Sequence, residues 1–398
     1  MKRKIFIAAF VILGVLQARA DEGMWMINAI DRALEAKMQQ RGLALSASEI
    51  YNADAPGTTL ADAVLSLDFA CTGSIISDQG LVITNHHCAY SDIYSLSTEE
   101  HNYLEDGYWS FTFDKEIPIP GKSVQMLKRV IDVTEEVEAL IDSLKAAGQV
   151  AGSRRVSSLM EKKYSISSGL VASLNSMWAG SKYYMALYQE YKDIRLVGAP
   201  PVSIAAFGGD IDNWEWPQHK CDFAMYRIYA APDGSPAAYS KDNVPLRPAK
   251  KLSICTKGIS EGDYAMVIGY PGRTDRYCSW AKASFEHQAY LPAQNTIRGL
   301  EMEIVNSWMN KDPQIRLKYS DYYFGLSNVQ ELRQGQVQCV NRFGVLEQLK
   351  ERDRLLAEWI NSDTSRKESL GWLPAALEDT YNAVWDVELN TLVFRETL

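Results

Sequence analysis

The 398-residue chain is 46% hydrophobic and 23% charged, enough apolar material for a large core and enough length for about two domains. Its formal charge of −9 argues against nucleic acid or anionic lipid as a partner. Lys2, Arg3 and Lys4, the apolar run 5–16 and the small-x-small triplet Ala18-Arg19-Ala20 read as a secretory signal over 1–20. The mature chain then starts at Asp21. That apolar run is too short for a lasting membrane span, and no later stretch is long and apolar enough to cross. Four of the 41 basic residues lie in the signal, so the mature chain holds 37 basic against 50 acidic residues, or −13. Export to a periplasmic or secreted location means oxidising conditions, so the six cysteines read as disulfide candidates.

Residues 25–40 read as an amphipathic helix with Ile27, Ile30, Leu34 and Met38 on one face, ended by Gly42. Stretches 48–51 and 58–63 connect, and 64–69 is a strand feeding Cys71. The segment 71–90, CTGSIISDQGLVITNHHCAY, packs the most chemistry into the fewest residues. Residues 74–77 form one strand, Asp78-Gln79-Gly80 a turn and 81–84 a second strand. This hairpin would deliver His86 and His87 to the end of a strand. Cys88 follows and can bridge back to Cys71, a closure worth about 3 kcal/mol through restriction of the unfolded chain. A zinc site made of His86, His87 and Cys88 is disfavoured, because neighbours on a strand point to opposite faces. No metal is expected.

Further on, 97–108 is polar and aromatic and holds His101, read as a surface residue. Residues 117–121 make a turn and 124–133 a strand. Thr134 is expected to cap a helix carrying Val137, Leu140, Ile141 and Leu144 on one face. The charged, serine-rich run to about 180 reads as helical or loose, with strands resuming at 183–191 and 194–197. The second informative stretch is 207–229, FGGDIDNWEWPQHKCDFAMYRIY. Gly208 and Gly209 allow close backbone approach, and Trp214, Trp216 and Pro217 make a rigid loop. Asp222 heads an alternating strand, where a carboxylate can accept a histidine N–H and fix its tautomer; Asp210 and Asp212 compete for that role. Residues 231–236, APDGSP, make a hairpin turn and not a nucleophile loop. Residues 267–270 read as a strand followed by a turn. From about 280 the period becomes helical: Ile297, Leu300, Ile304 and Trp308, then a start at Asp312-Pro313, then Leu346, Leu349, Leu356 and Ile360, then 377–398. Cys221, Cys255, Cys278 and Cys339 allow three pairings among themselves, and the sequence does not choose.

A strand–turn–strand ending in His-Cys, with a cysteine one hairpin earlier, resembles the histidine end of a chymotrypsin-type serine peptidase, where the histidine beside the cysteine is the general base. Taken with 207–223, the chain resembles the bacterial serine dipeptidyl-peptidases of the type 7 and type 11 kind. The stretches that carry this are DEGMW at 21–25, 71–90, 207–223 and GYPGRTDRY at 269–277. The resemblance implies a β plus α fold: an incomplete chymotrypsin-like double β-barrel over 21–279, followed by part of an α-helical cap domain over 280–398. The cap would block substrate beyond its first two residues. His87 would be the general base and Asp222 its orienting acid. Asn213 and Trp214, joined by Asn328 of a Ser-Asn-Val segment, would bind the substrate's free α-amino group. The implied reaction releases dipeptides from the free N-terminus of peptides, without cofactor. Peptides are the expected partners, with a homodimer left open.

The sequence departs from the family pattern at Ala89, Gln218 and Cys221, which stand where the family has glycine, arginine and glycine. Cys221 adds a Cβ beside the presumed acid. The family's serine lies in a Gly-Asn-Ser-Gly loop after the helical domain, and no Gly-x-Ser-Gly occurs here. The expectation is therefore a chain that stops inside the helical insertion, before the nucleophile. The alternative expectation is a catalytically inactive, truncated paralogue that binds peptide N-termini.

Overall fold

The structure, a computed structural model, describes residues 24–209, 213–272 and 278–397. The signal reading of 1–20, the start of DEGMW at 21–23, the competing Asp210 and Asp212, and residues 273–277 of GYPGRTDRY lie outside the described residues. The strands in chain order are β1 (Val64–Leu67), β2 (Cys71–Ile75), β3 (Leu81–Thr84), β4 (Tyr108–Trp109), β5 (Ile117–Pro118) and β6 (Val124–Asp132). They continue as β7 (Val171–Met177), β8 (Lys182–Tyr191), β9 (Asp193–Ala199), β10 (Ala224–Ala230) and β11 (Val244–Pro245). Eight helices of nine residues or more are described: α1 (Arg32–Gln40), α2 (His86–Leu96), α3 (Thr134–Ala146), α4 (Ser153–Ser168), α5 (Leu291–Met309), α6 (Pro313–Arg342), α7 (Val345–Asn361) and α8 (Leu373–Thr397). Among the described residues no helix is long and apolar enough to cross a membrane.

The chain divides into two compact units. One holds 63–126, 188–253 and 269–398 and contains every site residue discussed below. Its antiparallel strands run β4-β9-β10-β3-β2-β1-β6, with β5 on β9 and β11 on β10. The apolar faces of these strands enclose Leu65, Leu67, Ile75, Val82, Leu196, Tyr226 and Ile228, all at most 1% exposed. Ala89 and Ile93 of α2 pack into the same core. The β2–β3 hairpin turns at Gly80, whose φ of +64° favours glycine; a Cβ there would also meet the Ile228 and Leu246 carbonyl oxygens at 3.0 Å. The expected β plus α class stands. Among the described residues the sheet path is open, in keeping with an incomplete barrel.

The other unit holds the described residues up to Asp62, 127–187 and 254–268. There β7 and β8 pair beside the end of β6. Val137 and Leu144 of α3 and Val156 and Met160 of α4 close a second core over them, with Leu140 and Ile141 partly buried, as their spacing requires.

Several elements differ from the sequence reading. The helix expected over 25–40 begins at Arg32, because the Asp31 carboxylate caps it by accepting from Leu34 N–H at 2.8 Å. Thr134 is the first residue of α3 and not its cap; its hydroxyl donates to Asp132. The loose run to 180 contains the strand β7, made available when Gly169, at φ +70°, ends α4. Residues 267–270 form no strand. Tyr270 N–H donates to Thr72 Oγ1 at 2.8 Å, so that donor goes to a side chain and not to a ladder. Among the described residues Cys71–Cys88 is the one disulfide; Cys221, Cys255, Cys278 and Cys339 are thiols, so none of the three pairings left open among them is formed.

Candidate active site

The histidines do not sit at a strand end. After β3 and Asn85 the chain turns directly into α2, so His86 and His87 occupy its first turn. The strand argument against zinc therefore does not apply. Successive helical residues still diverge by about 100°, and Cys88 is committed to the disulfide with Cys71. Among the described residues no group of three or more His, Cys, Asp or Glu is placed to hold a metal ion.

Asp222, just before β10, meets that helix start. Its Oδ1 accepts the His87 backbone N–H at 3.0 Å and its Oδ2 lies 2.7 Å from His87 Nδ1. The Asn85 side-chain amide donates to the Asp222 carbonyl at 3.1 Å and to its Oδ2 at 3.3 Å. One carboxylate thus caps a helix N-terminus, where the backbone dipole favours negative charge, and fixes the imidazole at the same time. Burial works against the Asp222 charge. The side-chain and backbone bonds from His87, with the charges of His87 and Lys220, outweigh it and hold the carboxyl below its usual range. His86 is 3% exposed, and burial pulls its imidazole below the ordinary histidine range. His87 is half-exposed. Cys221 is exposed and leaves these contacts of Asp222 intact.

Helix α2 is gripped from two sides. The disulfide ties Cys88 to β2, and Tyr226 OH of β10 donates to Asp92 Oδ2 at 2.6 Å. Asp92 also pairs at 2.8 Å with the buried Lys122, which reaches Asp68 at the same distance. On the other side lies α6: Tyr90 stacks on Phe324 with centroids 4.3 Å apart, Ser91 donates to Asp321, and Tyr94 OH donates to the Lys318 carbonyl.

The same α6 carries Asn328 to the 213–222 loop. Trp214, at φ +62°, donates from Nε1 to the Asn328 carbonyl at 2.9 Å and to its Oδ1 at 3.0 Å. Asn213 Nδ2 donates to the same Oδ1 at 3.2 Å. Beyond a cis Trp216–Pro217 bond, Gln218 and Lys220 both donate to Asn213 Oδ1. The structure thus gathers the five expected site residues into an imidazole–carboxylate pair and an amide–indole cluster, linked by one ten-residue loop. Sequence reasoning missed Asn85, Lys122, Asp92 and Lys220. Asn85 lay inside the histidine motif and Lys220 inside the aspartate motif, but nothing in either marked them as contacts.

A histidine held through Nδ1 by a carboxylate is the acid–base half of a hydrolytic triad in geometry. Residues 20–398 match the sequence model of the family described as Peptidase S46, and the chain belongs to that family. It is 38% identical over 378 residues to an Asp/Glu-specific dipeptidyl-peptidase of Porphyromonas gingivalis, covering 92% of this chain and 52% of that one. It is 37% identical over 375 residues to dipeptidyl-peptidase 7 of Capnocytophaga gingivalis, with the same coverage. A crystal structure of Porphyromonas endodontalis DPP11 in complex with the dipeptide Arg-Asp superposes with a TM-score of 0.86 at 32% identity, over 95% of this chain and 55% of that one. The chain spans about half the length of these relatives.

Proposed function

We propose that the protein is a serine dipeptidyl-peptidase, releasing dipeptides from the free N-terminus of peptides, and that this chain supplies its acid–base pair and its amine anchor. The observation that carries the reading is the contact of Asp222 Oδ2 with His87 Nδ1 at 2.7 Å, reinforced by Oδ1 on the His87 backbone N–H. Relatives named as dipeptidyl-peptidases, and a related structure holding a dipeptide, support it. With Nδ1–H on the carboxylate, Nε2 is the ring atom that takes the proton from a serine hydroxyl as it attacks the scissile carbonyl. It then returns that proton to the leaving amine, while Asp222 stabilises the imidazolium between the two steps. Asn213, Trp214 and Asn328 offer amide oxygens and an indole to the substrate's α-ammonium, and fixing that group places the cut two residues in. A barrel-bearing part to about residue 279 and a helical cap after it belong to the same reading. So does export, which the Cys71–Cys88 bond supports.

The test is steady-state kinetics on a peptide with a free N-terminus. His87→Ala should lower kcat at least about a thousandfold. Asn213→Ala should raise KM about tenfold with a smaller effect on kcat. Turnover by His87→Ala within tenfold of wild type would remove His87 from the chemistry.

A further inference from the structure

One oxygen of the amide–indole cluster already holds an ammonium. Lys220 Nζ lies 2.7 Å from Asn213 Oδ1, while Gln218 Nε2 approaches the same oxygen at 3.4 Å. A lysine ammonium can only donate, so this contact fixes which way the Asn213 amide faces: oxygen to Lys220, Nδ2 to Asn328. Asn328 Oδ1 receives both Asn213 Nδ2 and Trp214 Nε1, which fills its two lone-pair directions. Asn213 Oδ1 also receives two donors, but one of them is an ammonium like the substrate's own, so it is the side-chain oxygen of the cluster that an α-ammonium can take over by exchange. The two ammonium groups are the same kind of donor, each with three N–H bonds and one positive charge. Seated together on one amide oxygen they would stand within about 5 Å of each other, where like charges repel.

We propose that Lys220 is an internal occupant of the amine subsite, holding the Asn213 amide in its binding orientation while the site is empty and leaving Asn213 Oδ1 when a peptide's α-ammonium enters. This rests on the amine-anchoring role proposed above for Asn213, Trp214 and Asn328. Lys220 is half-buried, and its charge helps to keep the Asp222 carboxyl ionised. A displaced Lys220 therefore stays within the field of that carboxylate. The affinity for substrate is then reduced by the fraction of molecules in which Lys220 occupies the subsite, so position 220 sets how strongly a free N-terminus is held.

Calorimetric titration of this chain with Ala-Asp and Ala-Leu, each with its N-acetyl form, tests the proposal. The wild-type chain should bind a free-amine dipeptide in preference to its acetylated form. Lys220→Met, which keeps the stem and removes the charge, should bind the free-amine form about tenfold more tightly and the acetylated form unchanged. Lys220→Gln, a second neutral variant should the first fail to fold, should do the same, and Lys220→Arg should stay near wild type. If the wild type discriminates but the neutral variants bind the free amine no more tightly, the proposal for Lys220 is overturned while the anchor stands. If the wild type itself fails to discriminate, the anchor reading falls, and the proposal for Lys220 falls with it.

Discussion

Asp222 gathers the most consequences at a single residue. Its oxygens accept from His87 twice and from Asn85, and those bonds hold its carboxyl below the usual range against the opposing effect of burial. A depressed carboxyl contributes stability that is fully present above its unfolded pKa, about 3.9, and is lost as pH falls through the lower folded value. Asp222→Asn should therefore lower Tm at neutral pH by an amount that persists down to about pH 4 and closes only below it. A gap that stays constant to pH 2 would show that the carboxylate charge contributes nothing to the fold. The identities of His87 and Asp222 were legible because each sits in a long motif. Their real geometry was not, since the bond from the His87 backbone exists only because the chain becomes helical right after Asn85. Nothing in the alternation of β3 announces that change.

Among the elements, α2 matters most, since it carries His87 and is held by a covalent bond, a buried ion pair and an aromatic stack. The disulfide closes a loop with a sequence separation of 17. Replacing Cys71 and Cys88 by serine should cost about 3 kcal/mol in denaturant unfolding. A loss below about 0.5 kcal/mol would mean that packing alone fixes the hairpin to the helix. The pairing was legible from position on the hairpin. The docking of Tyr90, Ser91 and Tyr94 on α6 was not, because the two segments lie more than two hundred residues apart and neither shows a pattern specific to the other. Periodicity did find α3 and the helices after residue 280, where apolar residues repeat every three or four positions. It failed at 267–270, where apolar residues follow one another without a neighbouring strand to pair with.

For the molecule as a whole, a large core was foreseeable from length and composition, but its division into two clusters before residue 280 and the polar groups built into it were not. Lys122 is the clearest case: its side chain is 6% exposed, and its ammonium bridges Asp68 and Asp92 beneath α2. Burial alone would drive that ammonium toward neutrality. The charges and bonds of the two carboxylates outweigh it and raise its pKa. Lys122→Met leaves Asp92 poorly solvated and without its cation, so it should destabilise the protein by about 3 kcal/mol. An effect below about 1 kcal/mol in chemical denaturation would place the pair among surface ion pairs of little consequence. The proposed activity is the removal of two residues from a free N-terminus. The most direct measurement is mass spectrometry of the products formed by the intact native protein from one peptide, offered with a free or an acetylated N-terminus. The account predicts N-terminal dipeptides from the free peptide and no cleavage of the acetylated one. Equal cleavage of both, or products cut away from the second residue, would contradict it.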